Sequence, residues 1–443
     1  MTDLEQYPIQ AGSAAELVRN IEAAVAGGER SPGERLPSVR RLALEVGLSP
    51  VTVAAALAEL RRRGVIVTEP RRGSRIGQAA PIGPIRVPMP VPPGARDLSR
   101  GNPDPALLPD LARALARTKL PVRLYGEPPA LAGLTDLARE QLRADGVPGE
   151  ALCIVSGALD GIERVLATHL APGDRVAVEN PGYAALFDLL RARGLVLEPV
   201  EMDERGMRPP ALRASLARGA CAAIITPRGH NPTGAALDAR RAGELGHVLD
   251  RFPGTLVIED DHLGLLAGCE LHTTVSGRER WAATRSVAKA LGPDLRLAVL
   301  AGDPQTVARV QGLQQCGPGW VSHILQSLVL GLWTDATVQQ LVADAAVAYS
   351  RRRERFLASL DGLGVRAFGA SGLNVWVPVA EETAVAGALL QRGWVVAPGA
   401  SYRLPGSPPA IRVTIATLLE PEAMRLAADL AEVLAPARSS RSG

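Results

Sequence analysis

The chain is 443 residues long, 47% hydrophobic and only 3% aromatic, with 49 Lys+Arg against 46 Asp+Glu and a net charge of +3. That length exceeds what one hydrophobic core normally organises, so two or more domains are expected, and the small total charge says little about partners until its distribution is read. No run of 18 apolar residues occurs, and the opening MTDLEQYPIQ is acidic and polar where an export signal would be basic and then apolar, so a cytoplasmic protein with no membrane partner is expected.

Residues 1–78 read as a first domain. GSAAELVRNIEAAVAGG places Leu17, Ile21 and Val25 four residues apart and ends in glycine, which predicts an amphipathic helix with a glycine cap. In the following GERLPSVRRLALEVGLSPVTVAAALAELRRRGVI, Ser38 can cap a short helix through Val46, Gly47 makes a turn, and Ser49 caps a second helix with Pro50 at its favoured first position. Helix, glycine turn, helix is the helix-turn-helix pattern, in which the second helix enters the major groove. GVIVTEPRRGSRIG then reads as two short strands around a turn, a wing able to lay Arg71 and Arg72 on a phosphate or into a minor groove. Between Arg35 and Arg75 nine arginines face three acids, Glu45, Glu59 and Glu69, a local surplus that suits a phosphate backbone.

This stretch resembles the GntR winged-helix domain over essentially its full length, through the signatures LPS.R.LA and TV..AL..L...G. The resemblance implies DNA contacts by Ser38, Arg40, Ser49, Thr52 and Gly73 of the wing. Many members carry arginine after the capping serine, and this chain has Pro50. A contact is therefore missing there, or is supplied by Arg71 or Arg72.

Residues 79–95, AAPIGPIRVPMPVPPGA, predict a proline-rich, semi-rigid linker. A long α/β domain is expected over 96–436, followed by a polar, frayed tail at 437–443. Cys153, Cys221, Cys269 and Cys316 are scattered without CxxC or CxxH spacing, so neither a disulfide frame nor a metal site is suggested, and all four are expected as small buried hydrophobes. Val- and Ile-rich runs end in polar clusters at DRVAVENPGY, CAAIITPRGHNPTG, TLVIEDDH and RLAVLAG. Fully apolar runs suit strands of a mainly parallel sheet buried on both faces, and ligands gather at the carboxyl ends of such strands.

Of the 49 Lys+Arg, only Lys119 and Lys289 are lysine. A chain that writes its cations as arginine keeps a lysine where arginine fails, and a Schiff base needs a primary amine able to lose its proton. Around a pyridoxal 5'-phosphate ring, Lys289 would form that Schiff base and Asp260, at the end of TLVIED, could hold a proton on the pyridine nitrogen. Ser286 and Arg296 can reach the phosphate. Gly157 and Ala158 open a helix whose free N–H groups form an anion site. Tyr183 offers a face to stack on the ring, and Asn231 can hydrogen-bond the ring hydroxyl. Taken singly, Asp260 reads equally well as a helix cap, Arg296 as a solvated strand end and Tyr183 as a core aromatic; the order SGA, NPGY, NPTG, EDD, SxxK, R makes the set specific.

That order resembles the fold-type I aminotransferases across roughly 96–436, supported by GNPDPALLP and YGEPPALAGL. The resemblance implies a large, mainly parallel domain with a smaller α+β domain, and a homodimer with sites at the interface. It also implies that Tyr125 reaches the phosphate of the partner subunit and that Arg412, in IRVTIA, holds the carboxylate of a substrate or effector; an exposed arginine on a strand edge is the plain alternative for Arg412. A GntR head joined by a linker to an aminotransferase-like body is the arrangement of the MocR family of transcriptional regulators, whose operator DNA binding and bacterial, nucleoid-associated location come with the resemblance. The wording EDDH, HNPTG and WVSHILQ is similar to that of B6-responsive members.

Two departures bear on activity. His262 stands where the family's EDDY pattern places the tyrosine that touches the ring hydroxyl, and imidazole ordinarily changes charge near neutral pH. The phosphate turn reads GAL where hydroxyl or amide side chains are common. Physiological turnover is therefore doubtful. The reading favoured is a regulator in which pyridoxal phosphate, or an amino compound or B6 vitamer captured at Lys289, alters operator binding. The alternative is a working aminotransferase carrying a DNA-binding head.

Overall fold

The computed structural model describes residues 12–26, 29–31, 33–62, 64–69, 73–77, 91–120 and 122–435. The chain divides into two compact units, one formed by Met1–Val87 with two short later pieces, 171–174 and 188–196, and the other by the rest. Most of the expected linker and the expected tail lie outside the described residues.

The head has helices α1 (Ala14–Ala26), α2 (Val39–Val46) and α3 (Pro50–Arg62) and a hairpin of β1 (Ile66–Glu69) and β2 (Gly73–Ile76). Leu17 and Ile21 of α1, Leu42 and Val46 of α2, Val53, Leu57 and Leu60 of α3, and Ile66 and Ile76 of the hairpin form one core. Each helix presents a stripe at three- and four-residue spacing, which is what lets three short helices close over so small an interior. The antiparallel register pairs Ile66 with Ile76 and Glu69 with Gly73. Leu36 N–H donates to the Ser74 carbonyl at 2.9 Å, which pins the segment before α2 to the second strand of the wing.

In the body, β3 (Arg96–Asp97), α4 (Leu111–Arg117) and α5 (Ala132–Ala144) precede β4 (Leu152–Val155), α6 (Ala158–His169), β5 (Arg175–Asn180), β6 (Val196–Asp203), β7 (Gly206–Met207), β8 (Ala220–Ile225), β9 (Leu256–Asp261), β10 (Trp281–Ser286) and β11 (Ala298–Gly302). The main sheet runs β4-β11-β10-β9-β8-β5-β6-β7. β5, β8, β9 and β10 pair in parallel, and β11 runs against both neighbours. Every residue of β4, β9 and β11 is buried, the pattern of strands covered on both faces. The smaller domain contains β12 (Asn374–Pro378), β13 (Trp394–Val395), β14 (Ala397–Pro398) and β15 (Ala410–Thr414), ordered β12-β15-β14, with β13 paired to β3. The helix 336–361 packs against β12 and against the helix 420–434. Among the described residues no single helix is long and apolar enough to cross a membrane.

The expectation of four buried cysteines holds for Cys153 alone. Cys153 is buried, and burial pushes its thiol up to about 12, whereas Cys269 and Cys316 are exposed and Cys221 is half-buried. Their positions beyond the sheet core, which composition does not reveal, account for the difference.

Candidate functional site

In the head the caps fall where the sequence places them. Ser38 Oγ accepts the Arg41 N–H at 3.4 Å, Gly47 closes α2 at φ 70, and Ser49 Oγ accepts the Thr52 N–H at 3.1 Å. Ser49 Oγ also shares a 2.7 Å hydrogen bond with Thr52 Oγ1. These contacts satisfy free N–H groups of the first helical turns, and they hold the Ser49 and Thr52 hydroxyls together at the start of α3. Ser38, Arg40 and Ser49 are exposed on one domain, as DNA contacts must be. Gly73 opens β2 at φ 82, a left-handed conformation that favours glycine, opposite Glu69; Arg71 and Arg72 lie outside the described residues.

In the body the strand ends converge. Asp260 lies on β9 beside Thr284 of β10, whose Oγ1 donates to Asp260 Oδ1 at 3.1 Å. Burial pushes the Asp260 carboxyl up to about 7, the neighbouring Asp261 and Glu179 add to that, and the Thr284 bond opposes it. Lys289 sits on the short helix 288–291 and donates from Nζ to the Gly101 carbonyl at 2.7 Å. Burial first, and the charge of Arg412 second, push its amine down to about 8. Arg412, on β15, is buried; it donates to Asn231 Oδ1 at 2.9 Å and to the Ser99 carbonyl, and its guanidinium lies 4.8 Å from the centre of the Tyr402 ring. The exposed-edge alternative for Arg412 is thereby excluded.

Gly157 and Ala158 begin α6 with no side-chain cap. Gly157 adopts φ 105, and a Cβ built there would meet Arg296 Nη2 at 3.0 Å, so the guanidinium rests against the helix-opening backbone. Arg296 is the one described non-glycine residue with positive φ, at 38. Such a conformation is costly for a side-chain-bearing residue and marks a position fixed by its surroundings. Ser286 Oγ accepts the Ala288 N–H at 3.2 Å. Tyr183 is 37% exposed in the turn after β5, and Tyr125 is 91% exposed, its ring edge-on to Trp320 at 5.6 Å.

His262 corrects an expectation. Burial first, and the charge of Lys289 second, push its imidazole down to about 4, against the pull of Asp261. It is therefore neutral near pH 7 and does not switch there. Beneath it lies a group of residues that local sequence reading missed. Asp261 receives Arg228 Nε and Nη2, both at 2.9 Å, and Arg285 Nε at 3.0 Å, while both arginines also reach Asp145 Oδ2, at 3.2 and 2.5 Å. Burial works against the Asp261 carboxylate, but the bonds and charge of Arg228 and the charge of Arg285 hold it below the usual range. Side chains alternate along β9, so Asp261 anchors one face while Asp260 is presented on the other.

Residues 96–430 match the family model for aminotransferase class I and II, and residues 13–76 match that for bacterial regulatory proteins of the gntR family. The chain belongs to the MocR family. This MocR protein is 38% identical over 434 residues, 96% of its length and 99% of the relative's, to the vitamin B6 salvage pathway transcriptional repressor PtsJ of Salmonella typhimurium. It is 28% identical to the HTH-type transcriptional regulator TauR of Rhodobacter capsulatus, over 86% of this chain and 88% of that one. Among solved structures, the α-aminoadipate aminotransferase LysN of Thermus thermophilus, complexed with N-(5'-phosphopyridoxyl)-L-leucine, superposes with a TM-score of 0.67 at 23% identity, covering 77% of this chain and 92% of that one. The fold is that of the fold-type I aminotransferases.

The family indicates pyridoxal 5'-phosphate, and the side chains fit it. A buried carboxylate without a cation beside it, a half-buried primary amine, and an arginine held at an uncapped helix start are the three features a protonated pyridine, an aldehyde and a phosphate require.

Proposed function

We propose that this MocR protein is a cytoplasmic, homodimeric transcriptional regulator that binds operator DNA through its head and senses a B6 compound, or an amino compound joined to it, through Lys289. The observation that carries the reading is the half-buried Lys289 amine, lowered to about 8, together with the buried carboxyl of Asp260, which Thr284 bonds and no cation neutralises. A lowered amine is available as the free base near neutral pH, the form that attacks an aldehyde.

When bound, the cofactor supplies an aldehyde carbon for amine capture and a ring that withdraws electrons. The residues do the rest. Asp260 would hold the proton on the ring nitrogen, gaining the opposite charge it lacks among its protein partners. Gly157, Ala158, Ser286 and Arg296 would bind the phosphate, with Tyr125 of the partner subunit completing that site. Tyr183 would stack on the ring. Asn231 already positions Arg412 through its carbonyl oxygen, which leaves its amide N–H groups for the ring hydroxyl. Neutral His262 would donate one hydrogen bond near that hydroxyl without adding charge. Arg412 would orient the carboxylate of an amino compound. In the head, Ser38, Arg40, Ser49, Thr52 and Gly73, with Arg71 and Arg72 of the wing, would hold the phosphate backbone.

A B6 vitamer is favoured as effector by the near-complete match to a relative whose name is a vitamin B6 salvage repressor. The test compares the purified protein with Lys289→Ala by absorbance on adding pyridoxal phosphate, pyridoxal or amino acids, alongside gel retardation of duplexes from the protein's own promoter region. The parent is expected to gain a visible absorption band that Lys289→Ala lacks, and one B6 compound is expected to change retardation in the parent alone. Equal retardation of both proteins under every addition would overturn the sensing role, and steady turnover of an amino donor with an oxo-acid would replace it with an enzymatic one.

A further inference from the structure

In α3, Val53, Ala56, Leu57 and Leu60 point into the core of the head. The exposed positions between them are Val51, Ala54, Ala55 and Ala58, spaced as one helix face. Val51 is 80% exposed. None of these four side chains carries a hydrogen-bond donor or acceptor. The side chains that distinguish guanine, adenine and cytosine edges in the major groove are Arg, Lys, Asn, Gln, Glu and Asp, and this face carries none of them from Val51 to Ala58, the first being Arg61 in the last turn of the helix. The two hydroxyls at the start of the helix, on Ser49 and Thr52, are bonded to each other.

One major-groove feature does suit an apolar side chain: the C5 methyl group of thymine. The charge around the face suits a duplex, since Arg35 and Arg40 before and on α2, and Arg61 near the end of α3, are all exposed. An isolated β-branched side chain held in water contributes nothing to the folding of the head, so its burial must come from a partner if it comes at all.

We infer that Val51 is a specificity determinant of the head and reads a thymine methyl, while Ala54, Ala55 and Ala58 allow the helix to lie close to the base edges. The inference rests on the operator-binding reading above. Sequence preference then arises from methyl contact and from duplex shape at positions the helix does not bond.

The test uses the full chain. Duplexes enriched from a random pool are remeasured with single thymines replaced by deoxyuridine, which deletes the methyl and leaves the hydrogen-bonding edge intact. Loss of one buried methyl corresponds to about 0.8 kcal/mol, so replacement at the contacted position is expected to weaken binding by the parent about fourfold. Val51→Ala, an exposed change in a helix that tolerates alanine, is expected to bind the thymine and uracil duplexes equally and to match the parent on uracil. Enriched duplexes that show no thymine preference at any position would overturn the inference, as would a preference that survives in Val51→Ala. Failure to enrich any duplex would instead remove the operator-binding reading, and this one with it.

Discussion

The Cβ position of Gly157 lies 3.0 Å from Arg296 Nη2, so a methyl group there fits only if the guanidinium that follows β10 gives way by a few tenths of an ångström from the backbone that opens α6. Both residues hold positive φ, 105 and 38. Gly157→Ala therefore meets two penalties, a strained backbone and a displaced arginine. We expect the cofactor-free protein to lose about 1–2 kcal/mol of stability from the backbone, and affinity for pyridoxal phosphate to fall at least tenfold. Equilibrium dialysis with the cofactor, beside thermal unfolding without it, separates the two effects.

Asp260→Asn should change stability and affinity in opposite directions. The folded carboxyl, at about 7, lies above the ordinary aspartate value of 3.8, so between those pH values the folded state binds more protons and stability falls as pH rises. Above pH 7 that cost is complete, on the order of 4 kcal/mol at the 1.36 kcal/mol per pKa unit of the linkage relation. Asparagine removes the charge and with it the cost. Cofactor-free Asp260→Asn is thus expected to melt higher than the parent at pH 8, while its affinity for pyridoxal phosphate falls. A lower melting temperature at pH 8 would refute the desolvation argument.

The head was legible because its signals are local. Ser38, Gly47, Ser49 and Pro50 each act within one turn of chain, and the inward stripe of α3 follows from helical spacing alone. Strand ends carrying Asp260 and Asn231 were legible for a similar reason, since apolar runs announce buried strands and their polar ends announce the ligand edge. What escaped was long-range. Nothing near Asp261 in sequence indicates that Arg228, Arg285 and Asp145 will surround it, because those partners come from β10, from the segment after β8 and from the turn after α5. The desolvation of the His262 imidazole was hidden in the same way, and with it the direction of its shift. Gly101 stands inside GNPDPALLP, yet only the fold shows that its carbonyl accepts the lysine bond.

His262 should be silent in titrations near neutrality. Its folded value of about 4 lies below the ordinary histidine value of 6.5, so the unfolded chain binds more protons across that interval. The stability it contributes is fully present above pH 6.5 and is lost as pH falls toward 4. Across that window the Asp260 contribution changes with the opposite sign, so the parent shows little net slope from the pair. His262→Gln is expected to expose the Asp260 slope, with stability that declines more steeply from pH 4 to 6.5 than in the parent. Histidine carbon-13 spectra supply a direct check: one imidazole signal, absent from His262→Gln, should remain in the neutral form down to pH 5.

Asp261→Ala should be the most destabilising single change near the site. It removes the carboxylate shared by Arg228 and Arg285 and leaves only Asp145 to compensate two largely buried guanidinium groups. Removing one member of a buried charged group costs about 3–5 kcal/mol, because the remaining charges lose their partner without regaining water. The carboxylate is held below the usual range in the folded state, so its contribution is present above the ordinary aspartate value and lost as pH falls through the folded one. The difference between parent and Asp261→Ala in urea unfolding should accordingly be large and constant from pH 6 to 8 and should shrink in strong acid. Because Asp260 precedes Asp261 on β9 and His262 follows the strand's end directly, cofactor affinity should fall in this variant although Asp261 itself faces away from the ring. A variant that kept full stability but lost the cofactor would show that Asp261 meets the cofactor directly, contrary to the alternation of β9.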